Sequence, residues 1–380
     1  MKGWVRTNRY YDHRLFWIIV VLAAFGLMMV LSSSSYAAAK KLDDSLYYFK
    51  RQGMILAGGI AVMVIVSHLD YHRWFSLALW AYVGAVVLMV LVNYTPFGVE
   101  LNGKKRWFGI GGHSLFQAAE LVKLSMILSL AVWVTRLGKR VDRWPVLIGL
   151  AVVCLPLIIL VADNNLSTGI ILLGILFVML FVASRRKLRF FLAAGSVVGL
   201  AGLFVSLRAK LVEFGILESY QLERIEVWID PLAYKLEGGF QVLQGLYAIG
   251  SGGLFGKGLG QSLQKLGFVP EAQNDMVFSI ICEELGLVGA AAVLIMFFMM
   301  LWRFAVIAGN APDMFGTMLV TGVMAHIAIQ VILNVAVVTN TIPNTGITLP
   351  FISYGGTSVL FLLIEMGLVL SVSNQIRICR

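Results

Sequence analysis

The feature that most constrains this chain is the repetition of apolar runs long enough to cross a membrane. A helix of about 20 apolar residues spans the hydrocarbon core of a bilayer, which is about 30 Å thick. The 380 residues are 59% hydrophobic and only 13% charged, which excludes an ordinary soluble domain. We therefore predict an all-α polytopic membrane protein in which residues 1–380 form a single integral membrane domain. About ten transmembrane helices are expected, near residues 15–34, 52–69, 74–93, 117–136, 145–162, 166–184, 189–207, 277–302, 312–340 and 352–374.

Basic residues are unequally distributed among the loops between these spans. If the N-terminus is cytoplasmic, both terminal segments and the loops around 136–143 and 185–189 are cytoplasmic and hold most of the arginines and lysines. Short loops rich in Lys and Arg stay in the cytoplasm. We therefore expect a multi-pass protein of the inner (cytoplasmic) membrane with both termini cytoplasmic. The net charge of +10 reflects this topology and gives no reason to expect nucleic-acid binding.

The one long hydrophilic segment, 208–275, lies between the seventh and eighth spans. It is too long to be a simple connector. Its charges nearly balance, and it contains aromatic and glycine-rich stretches that a disordered linker would lack. We expect it to be a large extracytoplasmic loop folded against the membrane surface. Within it, GGFQVLQGLYAIGSGG predicts a short helix ended by glycines.

Several polar side chains fall within the predicted spans, where a charged residue costs about 2.5–3.5 kcal/mol to insert. Glu120 and Lys123 are three residues apart, so they share one helix face and can pair. Glu283 and Glu284 lie about two turns into the eighth span. The ninth span carries a polar stripe of residues four apart, which we expect to face the bundle and to form hydrogen bonds between helices: His326, Gln330 and Asn334.

The loop LNGKKRWFGIGGHSL places Lys104, Lys105 and Arg106 beside Trp107. Lys and Arg match phosphate oxygens, and glycines let backbone N–H groups approach a ligand. The loop is therefore a candidate diphosphate-binding site. Its alternative interpretation, a solvated loop that contacts lipid headgroups, is equally compatible with a basic segment beside a membrane.

Several ordered motifs follow one another along the chain: NGKKRWFGIGG with QAAELVKL, RIEVWIDP, GFQVLQGLYAIGSGGLFGKGLGQSLQK, VPEAQNDMVFSIICEELGLVG and IPNTGITLPFISYGGTS. These motifs resemble those of the SEDS family (shape, elongation, division and sporulation proteins), on the FtsW and SpoVE side of it. The resemblance covers nearly the whole length.

The resemblance implies a peptidoglycan glycosyltransferase that polymerises lipid II, releases undecaprenyl diphosphate and works with a class B penicillin-binding protein, a transpeptidase. By motif, the family's essential acidic residue falls on Asp275. Its outer-face cation falls on Arg106, and the polar pair of the fourth span falls on Glu120 and Lys123. The resemblance makes all three candidate substrate-binding residues, with Arg106 and Lys123 as candidates to hold the diphosphate. Lys105 and Trp107 are further candidate substrate-binding residues because they flank Arg106.

The chain departs from the family pattern in DNNLSTG, which replaces a sequence of the Pro-Asp-Leu-Gly-Thr type, and we assign that turn no role. A direct inverting displacement needs a base for the attacking hydroxyl and cations for the departing diphosphate. Asp275 is the candidate base, in an environment expected to be partly desolvated, and capping of the eighth helix is its alternative role. At the level of the whole protein, the alternatives are a lipid II flippase and a structural scaffold. No metal or other cofactor can be assigned from the sequence.

Overall fold

The computed structural model describes residues 7–101, 104–111, 113–206, 225–235 and 238–379. These residues form long helices joined mostly by short turns. The helices are α1 (His13–Leu42), α2 (Tyr47–His68), α3 (Arg73–Tyr94), α4 (Ala118–Leu137), α5 (Trp144–Asn164), α6 (Leu166–Ala183), α7 (Leu188–Ser206), α8 (Gly239–Gly252), α9 (Val277–Asn310), α10 (Met314–Val338) and α11 (Thr357–Asn374), with a 3₁₀ helix at Gly138–Asp142.

Within the described residues, nine helices are long and apolar enough to cross a membrane, which confirms the predicted polytopic all-α architecture. They are α1 to α6 and α9 to α11. Helix α7 occupies the seventh predicted span and runs up to residue 206, and residues 207–224 lie outside the description. The predicted loop 208–275 is therefore described only from residue 225 onward, without 236–237.

Helix α4 lies at the centre of the bundle. Its most apolar window is 83% buried, whereas those of α2, α3 and α9 are each only 28% buried. It packs against α3, α6 and α10. The peripheral helices expose large apolar side chains such as Trp80 and Phe298. A helix that is apolar all round yet half exposed is a membrane span facing lipid on one side.

The basic loop before α4 is a small antiparallel sheet, which the sequence analysis did not predict. Strands β2 (Gly98–Leu101), β3 (Lys104–Ile110) and β4 (His113–Gln117) pair in the order β2-β3-β4. The sheet covers the end of the bundle where α3 ends and α4 begins. At the opposite end, β1 (Thr7–Arg9) pairs antiparallel with β5 (Arg377–Cys379), which joins the two ends of the described chain.

The predicted polar stripe of α10 faces the bundle and forms hydrogen bonds between helices and loops. His326 Nδ1 lies 2.8 Å from a carboxylate oxygen of Glu365 on α11. Gln330 donates to the carbonyl of Thr348 over 3.0 Å. Asn334 donates to two backbone carbonyls, discussed below. The predicted interhelical hydrogen bond is confirmed for His326, whereas Gln330 and Asn334 bond to backbone carbonyls of loops.

Helix α9 is broken at Gly286, whose backbone has φ 68° and ψ −167°. The loop after α8 fills this break. The amides of Lys257 and Gly258 donate to the carbonyls of Glu283 and Glu284, each over 2.9 Å. On the far side, the amides of Leu287 and Val288 donate to the carbonyls of Gly253 and Leu254 over 2.9 and 3.1 Å. A helix can break at a membrane because another backbone satisfies the freed groups.

Two ion pairs with buried carboxylates hold the same loop in place. Lys257 Nζ lies 2.7 Å from Glu283 Oε1, and Lys265 Nζ lies 2.7 Å from Glu284 Oε1. Ser32 of α1 also donates to Glu284, over 2.6 Å. Both glutamate side chains are fully buried. A buried carboxylate is costly without its partner. These pairs therefore hold the loop in one position, and with it the segment that leads to Asp275.

Candidate active site

A cavity of about 340 Å³ opens at the end of the bundle that carries the sheet. Its walls come from β3, the α5–α6 junction, the start of α8 and the segment before it, the segment before α9 and the loop after α10. The lining residues are Arg106, Asn165, Leu166, Ser167, Val227, Trp228, Gly238, Gln241, Val242, Asp275, Asn340, Asn344, Thr345 and Gly346. Two of the residues singled out from the sequence, Arg106 and Asp275, therefore line the same cavity.

Asp275 lies two residues before the first residue of α9. The backbone carbonyl of Asp275 accepts from Asn334 Nδ2 over 2.9 Å, and the same amide donates to Ile347 O over 2.7 Å. Asn334 is fully buried, so it pins the backbone of Asp275 to the turn after α10. Helix α9 has Met276 at its N-cap position, with no side-chain capping hydrogen bond. The capping role considered for Asp275 is therefore not observed.

The carboxyl group of Asp275 is half-buried, and this burial raises its pKa from 3.8 to about 6. The negative charge of Glu271 acts in the same direction. Hydrogen bonding from Gln241 and from the local backbone lowers the pKa, but by less than burial raises it. A carboxylate in this state is a stronger base than an ordinary aspartate and is still ionised at neutral pH.

Arg106 reaches the cavity from β3. Its Nε donates to the carbonyl of Asn164 over 3.0 Å. Lys104 also approaches the end of α5, where its Nζ lies 3.4 Å from the carbonyl of Asp163. The last carbonyls of a helix are unsatisfied and carry partial negative charge, which favours cations. The C-terminus of α5 thus anchors the basic strand beside the cavity.

The turn between α5 and α6, to which the sequence analysis assigned no role, lines the cavity. Asn165 ends α5 and caps α6, where its side chain accepts from the amide of Thr168 over 3.2 Å. Ser167 donates to the carbonyl of Thr345 over 2.5 Å, joining the turn to the loop after α10. The departure of DNNLSTG from the family pattern therefore falls in a cavity wall.

The remaining predicted site residues do not line the cavity. Glu120 and Lys123 form a buried ion pair with a 3.0 Å separation, and the exposed fractions of their side chains are 9% and 3%. This confirms the pairing but places the pair within α4. Lys105 and Trp107 flank Arg106 on β3, and neighbouring residues of a strand point to opposite faces. The proposed contact of these four residues with substrate stays a prediction.

The sequence analysis also missed Gln241 and Asn344, which line the cavity next to Asp275. Both belong to motifs used for the resemblance, GFQVLQ and IPNTG, so their polar character within ordered motifs was the available signal. Among the residues that the structure describes, no group of three or more His, Cys, Asp or Glu side chains is arranged to hold a metal ion.

The fold and this cavity define a class: a polytopic helical membrane protein with a polar, cation-containing cavity at one end of its bundle. The chain belongs to the family of cell cycle proteins that comprises FtsW, RodA and SpoVE, whose model matches residues 13–378. It is 38% identical over 331 residues to stage V sporulation protein E of Bacillus subtilis (strain 168), covering 86% of this chain and 87% of that protein. It is 34% identical over 373 residues to the probable peptidoglycan glycosyltransferase FtsW of Trichlorobacter lovleyi, covering 97% and 94%.

Solved structures show the same likeness. A chain from a structure described as "Structural coordination of polymerization and crosslinking by a peptidoglycan synthase complex" matches with a TM-score of 0.77 and 29% identity, covering 96% of this chain and 97% of that chain. The rod shape determining protein RodA of Thermus thermophilus matches with a TM-score of 0.67 and 25% identity, covering 98% and 99%. The resemblance to the SEDS family is thereby confirmed over the whole described bundle.

Proposed function

We propose that this chain is a peptidoglycan glycosyltransferase that polymerises lipid II into glycan strands and releases undecaprenyl diphosphate. The observation that carries the proposal is the cavity in which a carboxylate of raised pKa, Asp275, and a cation, Arg106, come together from distant parts of the sequence. Relatives named as probable peptidoglycan glycosyltransferases support it.

In the proposed reaction, a sugar hydroxyl of one lipid-linked chain attacks the anomeric carbon of another. Asp275 accepts the proton of the attacking hydroxyl as the new glycosidic bond forms. The bond between the anomeric carbon and the diphosphate breaks on the opposite face, so configuration inverts. Arg106 is placed to stabilise the departing diphosphate, because a guanidinium matches phosphate oxygens in geometry and charge. A base and a cation meet the minimum that such a displacement requires.

The proposal includes the sidedness of the reaction. Both termini are placed in the cytoplasm, and the cavity, with the segment 208–275, lies at the outer face of the inner membrane. The distribution of basic residues supports this orientation. A lipid-linked substrate keeps its tail in the bilayer, so a cavity at the end of the helix bundle suits the chemistry. A class B penicillin-binding protein is the proposed partner, in keeping with the matched chain from a peptidoglycan synthase complex.

Asp275→Asn tests the function. An amide cannot act as a general base, so the variant is expected to insert, fold and bind lipid II while making no glycan. Polymer yield from labelled lipid II in detergent is the measurement, at matched protein levels and with the cognate class B penicillin-binding protein present. Asp43→Asn, at an exposed turn after α1, is the matched control. Wild-type yield from Asp275→Asn would end the catalytic assignment.

The same assay separates polymerase from flippase and scaffold. Detergent solution has no second compartment, so a flippase or a scaffold would produce no glycan there. Glycan that depends on Asp275 supports a polymerase. Omitting the penicillin-binding protein tests the partnership, and undiminished polymerisation by the isolated chain would contradict a dependence on it.

A further inference from the structure

A directed chain of hydrogen bonds ends on the carboxylate of Asp275. The amide of Gly346 donates to Asn344 Oδ1 over 3.1 Å. Asn344 Nδ2 donates to Gln241 Oε1 over 3.2 Å. Gln241 Nε2 then lies 3.5 Å from Asp275 Oδ1 and 3.4 Å from Oδ2, which places the amide between both carboxylate oxygens. The three side chains all line the cavity.

The direction of this chain is fixed by its first member. A backbone N–H can only donate, so Asn344 must present its oxygen to Gly346 and its NH₂ group to the other side. Gln241 must then present its oxygen to Asn344. Its NH₂ group is left facing Asp275, as a donor. The orientation of both side-chain amides, which heavy-atom positions alone leave ambiguous, is therefore determined by a backbone group.

We propose that Gln241 is a positioning residue for Asp275, with its orientation set by Asn344. The inference rests on the proposed role of Asp275 as the base. Gln241 directs the carboxylate toward the cavity, whereas Asn334 holds the backbone of the same residue from α10. Two amides on different elements thus fix the main chain and the side chain of Asp275 separately.

A donor to a carboxylate favours its ionised form, which is the form that a base requires. Gln241 therefore offsets part of the effect of burial and of the nearby charge of Glu271. Among the described residues that line the cavity, the other ionisable group is Arg106, and its positive charge also favours the ionised form of Asp275. Removing the Gln241 donor leaves burial and Glu271 less opposed, so Asp275 stays protonated to a higher pH.

The test compares pH profiles of polymerisation by the purified full chain with its cognate class B penicillin-binding protein, using labelled lipid II. Gln241→Leu removes the donor. Asn344→Leu has a similar volume and adds no charge, but it removes the NH₂ group that orients the amide of Gln241. For both variants, the pH below which kcat falls is expected to rise by about one unit. Activity should fall about fivefold near pH 6 and less than about twofold at pH 8.5.

Gln261→Leu is the matched control, since Gln261 is exposed in the loop after α8, and its profile should equal that of the wild type. A purely structural role for Gln241 would lower activity equally at every pH, and that result or an unshifted profile would overturn the inference. If Gln241→Leu does not fold, Asn344→Leu still decides. Should Asp275→Asn polymerise normally, the proposed function itself fails. An inactive Asp275→Asn beside unshifted Gln241 and Asn344 variants would refute the positioning role alone.

Discussion

Replacing Asp275 with Asn should stabilise the protein while abolishing its activity. Burial raises the pKa of Asp275 from 3.8 to about 6, so ionising this group is harder in the folded chain than in the unfolded one. A difference of about two pKa units, at about 1.4 kcal/mol each, sets an upper bound of about 3 kcal/mol. Because Asp275 is only half-buried and an amide has its own hydrogen-bonding needs, we expect a gain of about 1–3 kcal/mol at pH 7.5.

The gain should depend on pH in a defined direction. Below pH 3.8 the carboxyl group is protonated in both states and costs nothing. Between 3.8 and about 6 the unfolded chain loses its proton first, so the stability of the wild type falls as pH rises and then levels off. The Asn variant has no carboxyl group to ionise at this position, so it does not show this loss of stability. Its advantage should therefore be near zero at pH 4, grow up to about pH 6 and stay constant above that value.

Thermal unfolding in detergent at several pH values measures this difference, and an increase in Tm of roughly 1–5 °C is expected at pH 7.5. The exposed control Asp43→Asn makes the same chemical change outside the cavity and should show no such pH-dependent increase. If Asp275→Asn is less stable than the wild type, or its difference in Tm is the same at pH 4 and pH 7.5, the carboxylate is not desolvated. The argument for a strengthened base would then fail.

Three further predictions follow from the same geometry. Arg106→Ala should slow polymerisation of lipid II while leaving insertion and folding intact. Arg106→Lys should restore only part of the rate because lysine lacks the planar bidentate fork, and unchanged kinetics would remove Arg106 from the site. Gly252→Ala should destabilise the protein because its Cβ would overlap a backbone carbonyl of α9. Gly250→Ala, which has open space in the same helix, should be neutral or stabilising by up to about 1 kcal/mol. Equal Tm values for the two variants would refute the close crossing of α8 and α9. In a background without native cysteines, exposed positions Gln261 and Arg186 changed to Cys should label from outside and inside respectively, and the reverse pattern would invert the orientation.

The membrane spans could be predicted from the sequence because insertion of a helix depends on the hydropathy of about 20 consecutive residues. The break in α9 could not be predicted from the sequence. Gly286 lies in an otherwise apolar run, and a single glycine is tolerated in many transmembrane helices. Its function becomes visible only when the backbone of the loop at Gly253–Gly258 is seen to occupy the gap. The break is a long-range property of the fold and leaves no local signal.

The sheet before α4 was missed for a different reason. Its strands are short, and β3 contains three cations, so hydropathy describes it as a polar loop. Cross-strand pairing, which defines the strands, is not visible in local composition. Similarly, the motif of Asp275 identified a carboxylate, but its neighbours Gln241 and Asn344 come from segments more than thirty residues away on either side. These residues come together through packing of the helices and loops, which only the structure shows.

The length of α9 explains why its break lies close to the cavity. The helix has 34 residues, which is more than a membrane span needs. At about 1.5 Å per residue, the part after Gly286, residues 287–310, is by itself long enough to cross a hydrocarbon core of about 30 Å. The part before the break, Val277–Leu285, therefore extends toward the membrane surface and beyond it, with Asp275 ahead of its first turn. Glu283 and Glu284 lie just before the break, where each buried carboxylate is paired with a lysine and that of Glu283 also accepts from two backbone amides of the loop. The break ties the segment before it to α8, and α8 carries Gln241 to the carboxylate of Asp275.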